Sequence, residues 1–194
     1  MMDYGANMRI ACLLFALTTP AFAAPVPYIL DAAASSVGFE VNMGDQAVKG
    51  TMPVAGATLL LDFDRVANST INVTLDPSRV RTGLIFATEA LKAENLLNTG
   101  AYPQIAFVST GVTAGADGTQ AEVDGQVTIR GVTRPLRLHA QLYRQAGTIA
   151  GNIDKLSLLL TGTLNRNDFG ASGYPGMVSD QVTLNITAQI DRGS

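Results

Sequence analysis

The sequence predicts an all-β fold made of antiparallel strands, and three observations support this. Apolar and polar residues alternate with a period of two, as at Val37, Phe39 and Val41 against the residues between them, which is typical of strands with one buried face. Turn signals such as 116–119 and 145–148 separate these segments at short intervals, which favours hairpins over parallel crossovers. So many short strands in one domain predict a barrel or a sandwich, and the alternation alone does not choose between them.

Each predicted element follows from its local pattern. The alternating segments, in chain order, are 37–43, 59–63, 71–75, 105–107, 127–129, 136–142 and 182–190. Gly131 lies in a turn between two of them, and Pro135 is expected at a strand start or a sheet edge because it donates no backbone hydrogen bond. One short helix is predicted at about residues 86–97, which are rich in helix formers, with Thr88 as a candidate N-cap. Residues 165–178 carry three glycines and a proline and are predicted to form a long loop.

The N-terminus has the pattern of a secretory signal. Arg9 precedes the apolar run 10–17, and Ala21-Phe22-Ala23 fits a cleavage site before Ala24. Met8 is a better start than the first residue, because no Lys or Arg precedes Arg9. A permanent membrane anchor is the weaker alternative, since the run is too short to span a bilayer. The predicted division is therefore a signal peptide at 1–23 and a single domain at 24–194.

Composition narrows the classes of function. The formal net charge is −3 and only 15% of the residues are charged, so we expect no binding of nucleic acid. The chain has one His, one Cys and no Trp, and Cys12 lies within the predicted signal peptide. We therefore expect no metal site, no cofactor and no catalytic residue in the domain.

Four blocks of the chain, in the right order, resemble motifs of one known family. The most specific is Asp-Gly-Gln-Val-Thr-Ile-Arg-Gly-Val-Thr-Arg-Pro at 124–135, which looks like the Gly-x-Leu-Thr-Ile-Arg-Gly-Val-Thr-Arg-Pro stretch of the YceI-like family. Tyr-Pro-Gln-Ile-Ala-Phe-Val-Ser-Thr at 102–110, Leu-Asn-Arg-Asn-Asp-Phe-Gly at 164–170 and the opening 28–39 are similar to three further motifs. The chain departs from the family at Ala34, where a His is usual.

The resemblance implies a fold and a function. Members of the YceI-like family are bacterial periplasmic proteins with a lipocalin-like β-barrel that bind polyisoprenoid lipids. We therefore expect a lipocalin-like antiparallel barrel in the periplasm, with a polyprenyl phosphate or an isoprenoid quinone in its apolar interior. A transient contact with the membrane or a membrane protein is left open, as is the oligomeric state. The predicted helix would form a lid over one end of the barrel or simply pack against the sheet.

The predicted ligand-binding residues lie on the apolar face of each strand, because closure of the sheet into a barrel turns these faces toward one interior. They are Phe39, Val41, Leu61, Phe63, Val73, Phe107, Val127, Ile129 and Leu138. Each CH2-sized group of an isoprenoid is worth about 0.8 kcal/mol out of water, so such an interior needs no catalytic residue to bind one.

Three polar features have competing interpretations. His139 shares a polar strand phase with its neighbours and is expected on the exterior, out of reach of any Ser-His-Asp set. Asp62 and Asp64 are expected in an exposed turn rather than as a pair of catalytic carboxylates. Arg166 either forms an ion pair with Asp168 that fixes the loop, or faces an anionic head group at the barrel mouth.

Two other functions stay open at this point. An enzyme acting on an isoprenoid lipid would need convergent polar residues inside the barrel. A solid barrel serving as a stress or protein-interaction module would need an exposed apolar patch and no cavity.

Overall fold

The computed structural model describes residues 24–145, 149 and 152–193. It contains eleven β-strands, one α-helix and three short 3-10 helices at Val66–Asn68, Pro77–Arg79 and Arg166–Phe169. The strands are β1 Val26–Leu30, β2 Ser36–Met43, β3 Gln46–Met52, β4 Val54–Leu61, β5 Thr70–Leu75, β6 Arg81–Thr82, β7 Ile105–Ala114, β8 Gln120–Ile129, β9 Val132–Arg144, β10 Lys155–Asn165 and β11 Gln181–Arg192, and the helix is α1 Ile85–Lys92. The predicted signal peptide lies outside the described residues.

The strands form a closed antiparallel barrel with eight strand positions. The first three positions are each occupied by two consecutive short strands, β1 with β2, β3 with β4, and β5 with β6, and the other five by β7 to β11. The barrel closes because β11 pairs with β1 along one half, as at Ile190 against Leu30, and with β2 along the other, as at Ile186 against Val37. The all-β barrel with one helix is therefore confirmed, and the choice between barrel and sandwich is settled.

Local chemistry explains why the first three strands are broken. After β1, the Asp31 carboxylate accepts hydrogen bonds from the backbone N–H groups of Ala33 and Ala34, at 2.9 and 3.2 Å, which folds the chain into a turn. Between β3 and β4 stands Pro53, which has no N–H to donate to the sheet. After β5, Pro77 begins a 3-10 turn that the Asp76 carboxylate caps.

One end of the barrel, which we call the lid end, is where β5, β8 and β10 finish. It carries α1 with the turns that follow it and the loop between β10 and β11. The two segments meet there, since the Gly173 N–H donates to the Asn95 carbonyl at 2.9 Å. The long loop predicted at 165–178 is present and opens with the 3-10 helix after Asn165.

The helix is shorter than its predicted span of 86–97. It begins at Ile85 and ends at Lys92, because Ala93 adopts an extended conformation with ψ of 161°. Thr88 lies inside the helix rather than at its N-cap, and its hydroxyl donates to the Leu84 carbonyl at 3.3 Å. The residues after Ala93 form turns that bring Leu96 and Leu97 toward the barrel interior. Among the described residues, no helix is long and apolar enough to cross a membrane.

The apolar faces of the strands meet inside the barrel in two clusters. The larger cluster spans the middle and the lid end, with buried residues from β3, β7, β8 and β9 together with Phe169 of the loop. The smaller one closes the opposite end, where Tyr28, Leu59, Leu156 and Ile190 are each at most 8% exposed. The strand phases predicted from the alternation therefore point inward.

Candidate functional site

The interior of the barrel contains a cavity of about 290 Å³. Its volume is close to the lower end of the range of about 300–1,000 Å³ for ligand pockets. Among the described residues, those that line it are apolar except for Ser35, Arg166 and Thr187. Leu91, Leu96 and Leu97 of the α1 segment and Phe169, Ala171 and Val178 of the loop cover the cavity at the lid end. The site is an apolar cavity whose walls are strands and whose cover at one end is formed by two connecting segments.

Eight of the nine predicted wall residues line this cavity. They are Phe39, Val41, Leu61, Val73, Phe107, Val127, Ile129 and Leu138. Val127, Ile129 and Leu138 are buried, whereas Phe39, Val73 and Phe107 are only half-buried and leave part of their surface toward the lumen. Closure of the sheet thus brings residues from six strand positions to one interior. Their contact with a ligand stays a prediction.

Phe63 is the exception among these nine residues and lies outside the cavity lining. Strand β4 ends at Leu61, so the period-two phase that predicted Phe63 no longer applies two residues later. Its ring instead packs edge-on against Tyr28, with ring centroids 5.6 Å apart. The Tyr28 hydroxyl donates to the Ile153 carbonyl at 2.9 Å, and burial raises the pKa of that phenol. Phe63 therefore closes the end of the barrel opposite the lid.

Asp62 is buried, contrary to the exposed turn predicted for Asp62 and Asp64. It is 6% exposed and organises the turn that follows β4. Its carboxylate accepts hydrogen bonds from the Asn68 side chain at 2.9 Å and from the backbone N–H groups of Asp64 and Arg65 at 3.1 and 2.8 Å. The hydrogen bond from Asn68, followed by that from Arg65, lowers the pKa of Asp62. The role of Asp62 is to fix the turn.

Arg166 is also buried, at 6% exposure, and serves the loop at the lid end. Its Nη1 donates to the carbonyls of Ala171 and Gly173 at 2.6 and 2.7 Å. Its Nε donates to Ser179 O at 2.9 Å and its Nη2 to Val178 O at 3.0 Å. These contacts hold both ends of the loop to one side chain.

The ion-pair partner of Arg166 is Asp180, at 3.5 Å, and not the predicted Asp168. Residues two positions apart in an extended chain lie on the same face, but residues 166–169 form a 3-10 helix, so Arg166 and Asp168 do not. A guanidinium has five N–H groups, and the protein supplies an acceptor for each of them. A direct hydrogen bond to a head group would displace one of these acceptors and stays a prediction.

His139 lies on the exterior of the barrel, as its strand phase predicts. Its Nδ1 is 2.6 Å from the Glu122 carboxylate across the β8–β9 ladder, and the imidazole is 65% exposed. Next to it, Arg137 and Asp124 form a second exposed ion pair, also at 2.6 Å. In the described part of the chain, no group of three or more His, Cys, Asp or Glu side chains is placed to hold a metal ion.

The sequence reasoning missed the β10 contribution to the cavity. Leu158, Leu160 and Leu164 line it, but Leu159 interrupts the alternation because it is apolar and yet faces outward at 39% exposure. The signal for this wall is therefore weak. The leucines of the α1 segment were visible only as part of a helical pattern, with no indication of which way they face.

Comparison with known proteins gives a consistent result. The model of the YceI-like domain matches residues 28–190. Among relatives, Protein YceI of Escherichia coli O157:H7 is 29% identical over 154 residues, which is 79% of each chain. A UPF0312 protein of Pseudomonas syringae pv. tomato is 31% identical over 152 residues, 78% of each chain.

Solved structures share the architecture at low identity. BcnA of Burkholderia cenocepacia superposes with a TM-score of 0.72 at 18% identity, covering 83% of this chain and 99% of that one. A polyisoprenoid binding domain of Saccharophagus degradans, implicated in plant cell wall breakdown, gives a TM-score of 0.62 at 13% identity, with 87% and 99% coverage. At these identities the likeness supports the fold of the barrel.

Proposed function

Because this chain belongs to the YceI-like domain family, we propose that its barrel binds or carries a polyisoprenoid lipid, either a polyprenyl phosphate or an isoprenoid quinone. The observation that carries the proposal is the closed barrel around a cavity whose described lining residues are apolar apart from Ser35, Arg166 and Thr187. The description of the Saccharophagus degradans domain as polyisoprenoid binding supports the same class of ligand.

Transfer of apolar surface out of water supplies the main free energy for such binding. A cavity of about 290 Å³ holds about ten CH2-sized groups, since each takes about the 30 Å³ that a water molecule occupies in the liquid. At about 0.8 kcal/mol for each buried group, this part of an isoprenoid gains about 8 kcal/mol, which corresponds to a dissociation constant of about 1 μM. Ordering the flexible chain and fixing its position offset part of this gain.

The proposal is one of binding without catalysis and without a cofactor. The donors of Arg166 already have acceptors within the loop, and the hydroxyl of Ser35 accepts a hydrogen bond from the Gln189 N–H at 3.0 Å. Thr187 alone does not form a convergent polar constellation of the kind that an enzyme site needs. His139 lies on the outer face of the barrel wall. A solid interaction module is disfavoured by the cavity itself.

We further propose that the protein is exported to the periplasm, where it meets the membrane or a membrane protein transiently to take up and release its lipid. The support is the pattern of residues 1–23, with a cleavage site before Ala24. N-terminal sequencing of the exported protein should begin at Ala24. A start at Met8 or earlier would contradict export with cleavage.

The direct test is native mass spectrometry of the protein purified from its own host, followed by lipid extraction. We expect an apolar isoprenoid that leaves on denaturation and is recovered chemically unchanged after incubation with the protein. Recovery of a modified isoprenoid would support the enzyme alternative. A parent protein without bound lipid, which also fails to bind added isoprenoid, would contradict the proposal.

A matched pair of variants links the lipid to the cavity. Val127→Asp places a carboxylate in the wall, whereas Gln126→Asp places one on the exposed face of the same strand. We expect only the first to lose the lipid, because an unpaired charge in the cavity is costly. The comparison is made on protein that keeps its near-UV circular dichroism. If Val127→Asp fails to fold, Val73→Phe replaces it, since it fills the lumen without adding charge.

A further inference from the structure

Three inward-facing wall positions are occupied by glycine, and a large side chain from a neighbouring strand occupies the space above each. A Cβ built on Gly50 would lie 2.2 Å from the Phe39 ring, and one on Gly125 would lie 2.4 Å from the Phe107 ring. At Gly162 the nearest atom would be a methyl carbon of Leu138, at 2.8 Å. Real Cβ atoms do not approach so closely, so each glycine provides a recess in the wall.

Backbone conformation does not explain these glycines. None of the three has the positive φ that favours glycine, in contrast to Gly44 and Gly131. Gly56 and Gly111, also in strands, have no heavy atom within 4 Å of an added Cβ. The requirement for glycine at 50 and 125 is therefore steric, and it comes from the aromatic rings together with a nearby backbone carbonyl at each site.

The cross-strand register shows how the rings lie. Phe39 stands directly opposite Gly50 in the β2–β3 ladder, and Gly125 is the diagonal neighbour of Phe107, whose direct partner is Val127. Aromatic rings laid over a cross-strand glycine are a known way to cover exposed backbone in sheets. Here each ring lies over its glycine in the wall, and both Phe39 and Phe107 line the cavity. The two pairs stand three strand positions apart in a ring of eight, on nearly opposite walls.

We propose that the Phe39–Gly50 and Phe107–Gly125 pairs set the width of the cavity and so select a methyl-branched chain over a straight one. This inference rests on the proposed function and adds a determinant of specificity to it. A prenyl chain carries a methyl branch on every unit and needs a wider channel than a straight alkyl chain. Each recess supplies that width by taking up a ring that would otherwise project into the lumen.

The central variant is Gly125→Ala, with Gly56→Ala as its control, because Gly56 lies in strand β4 outside the cavity lining and has no heavy atom within 4 Å of an added Cβ. The added methyl displaces the Phe107 ring toward the axis and narrows the channel. Affinities are measured by displacement of an apolar fluorescent dye with two probes, geranylgeraniol and the saturated straight-chain alcohol of the same carbon number. We expect the parent protein to bind geranylgeraniol more tightly than the straight-chain alcohol. Gly125→Ala should lower the affinity for geranylgeraniol about tenfold or more and the affinity for the straight-chain alcohol much less. Gly56→Ala should keep the parental affinities.

Two further variants keep the inference testable if Gly125→Ala folds poorly. Phe107→Ala removes the ring and widens the channel, so the preference for geranylgeraniol should fall. Gly50→Ala should repeat the effect of Gly125→Ala on the opposite wall, because the clash there is with the outer edge of the Phe39 ring.

The outcomes separate this inference from the proposed function. If the parent binds neither probe, the lipid-binding proposal fails. If the parent binds both but the ratio of their affinities is the same in Gly125→Ala, Gly50→Ala and Phe107→Ala as in the parent, lipid binding stands and the width determinant is overturned. The width determinant is supported if the ratio of geranylgeraniol affinity to straight-chain affinity falls in Gly125→Ala, Gly50→Ala and Phe107→Ala but not in the control.

Discussion

Replacement of Arg166 by leucine distinguishes the two roles that the sequence left open for this residue, a structural clamp and a head-group contact. The side chain is buried and its guanidinium satisfies four backbone carbonyls and Asp180. Leucine keeps apolar bulk at the edge of the cavity but donates no hydrogen bond. The loop would then lose the contacts that fix it, while the barrel strands would keep theirs.

The size of the effect follows from which acceptors are orphaned. The carbonyls of Ala171 and Gly173 belong to buried residues, and each would lose the hydrogen bond that Arg166 Nη1 donates to it. A buried acceptor without a partner costs about 1–3 kcal/mol, which gives about 2–6 kcal/mol for the two. The carbonyls of Val178 and Ser179 are half-buried and regain water. We therefore expect a loss of about 2–6 kcal/mol, a large share of the 5–15 kcal/mol typical of a domain.

Urea unfolding of Arg166→Leu measures this loss. Arg134→Leu is the control, because Arg134 is exposed and its guanidinium donates to the carbonyl of the neighbouring Thr133. The control should stay within about 0.5 kcal/mol of the parent. Because Phe169, Ala171 and Val178 of the same loop cover the cavity, lipid retention should fall with stability in Arg166→Leu. If Arg166→Leu kept the stability of the parent and bound only anionic isoprenoids more weakly, the structural clamp would be refuted and the head-group contact favoured.

Two further predictions concern the cavity and the acid range. Val73→Phe enlarges a residue that lines the lumen, and Val80→Phe makes the same change at a residue that is 1% exposed and outside the lining. Overpacking should cost Val80→Phe about 1–3 kcal/mol of stability and Val73→Phe less. Only Val73→Phe should lower the lipid occupancy. Equal losses in thermal unfolding would indicate a filled interior. The pKa of Asp62 is lowered in the folded state by its hydrogen bonds, so its contribution to stability is complete above the ordinary pKa of an aspartate and is lost as the pH falls through the lowered value. Asp62→Asn should therefore reduce the acid dependence of unfolding free energy, and an unchanged pH profile would contradict this role.

Most of the cavity wall was predictable from the sequence, whereas the β10 wall and the two ends of the cavity were not. Period-two alternation fixes which side chains share a face along a regular strand, which is why Val41, Val73 and Val127 were placed correctly. Phe63 and Asp62 follow the last residue of β4, where a turn stabilised by the Asp62 carboxylate replaces the strand geometry. The Arg166 loop depends on acceptors up to 14 residues away in sequence. Such contacts leave no periodic signal.

The two recesses that hold aromatic rings, at Gly50 and Gly125, depend on cross-strand register. They differ in how far the sequence alone can reveal them. Gly44 and Asp45 form a tight turn with Gly44 at φ of 60°, and counting outward from a two-residue hairpin turn places Phe39 opposite Gly50, as observed. The second recess cannot be found by counting, because a bulge between Ser109 and Gly111 shifts the β7–β8 register by one residue. Without that bulge Phe107 would face Thr128, whose phase is outward, and its ring would have no glycine beneath it. The bulge thus converts an ordinary hairpin into a wall with a recess, and its position depends on the folded sheet rather than on any local pattern.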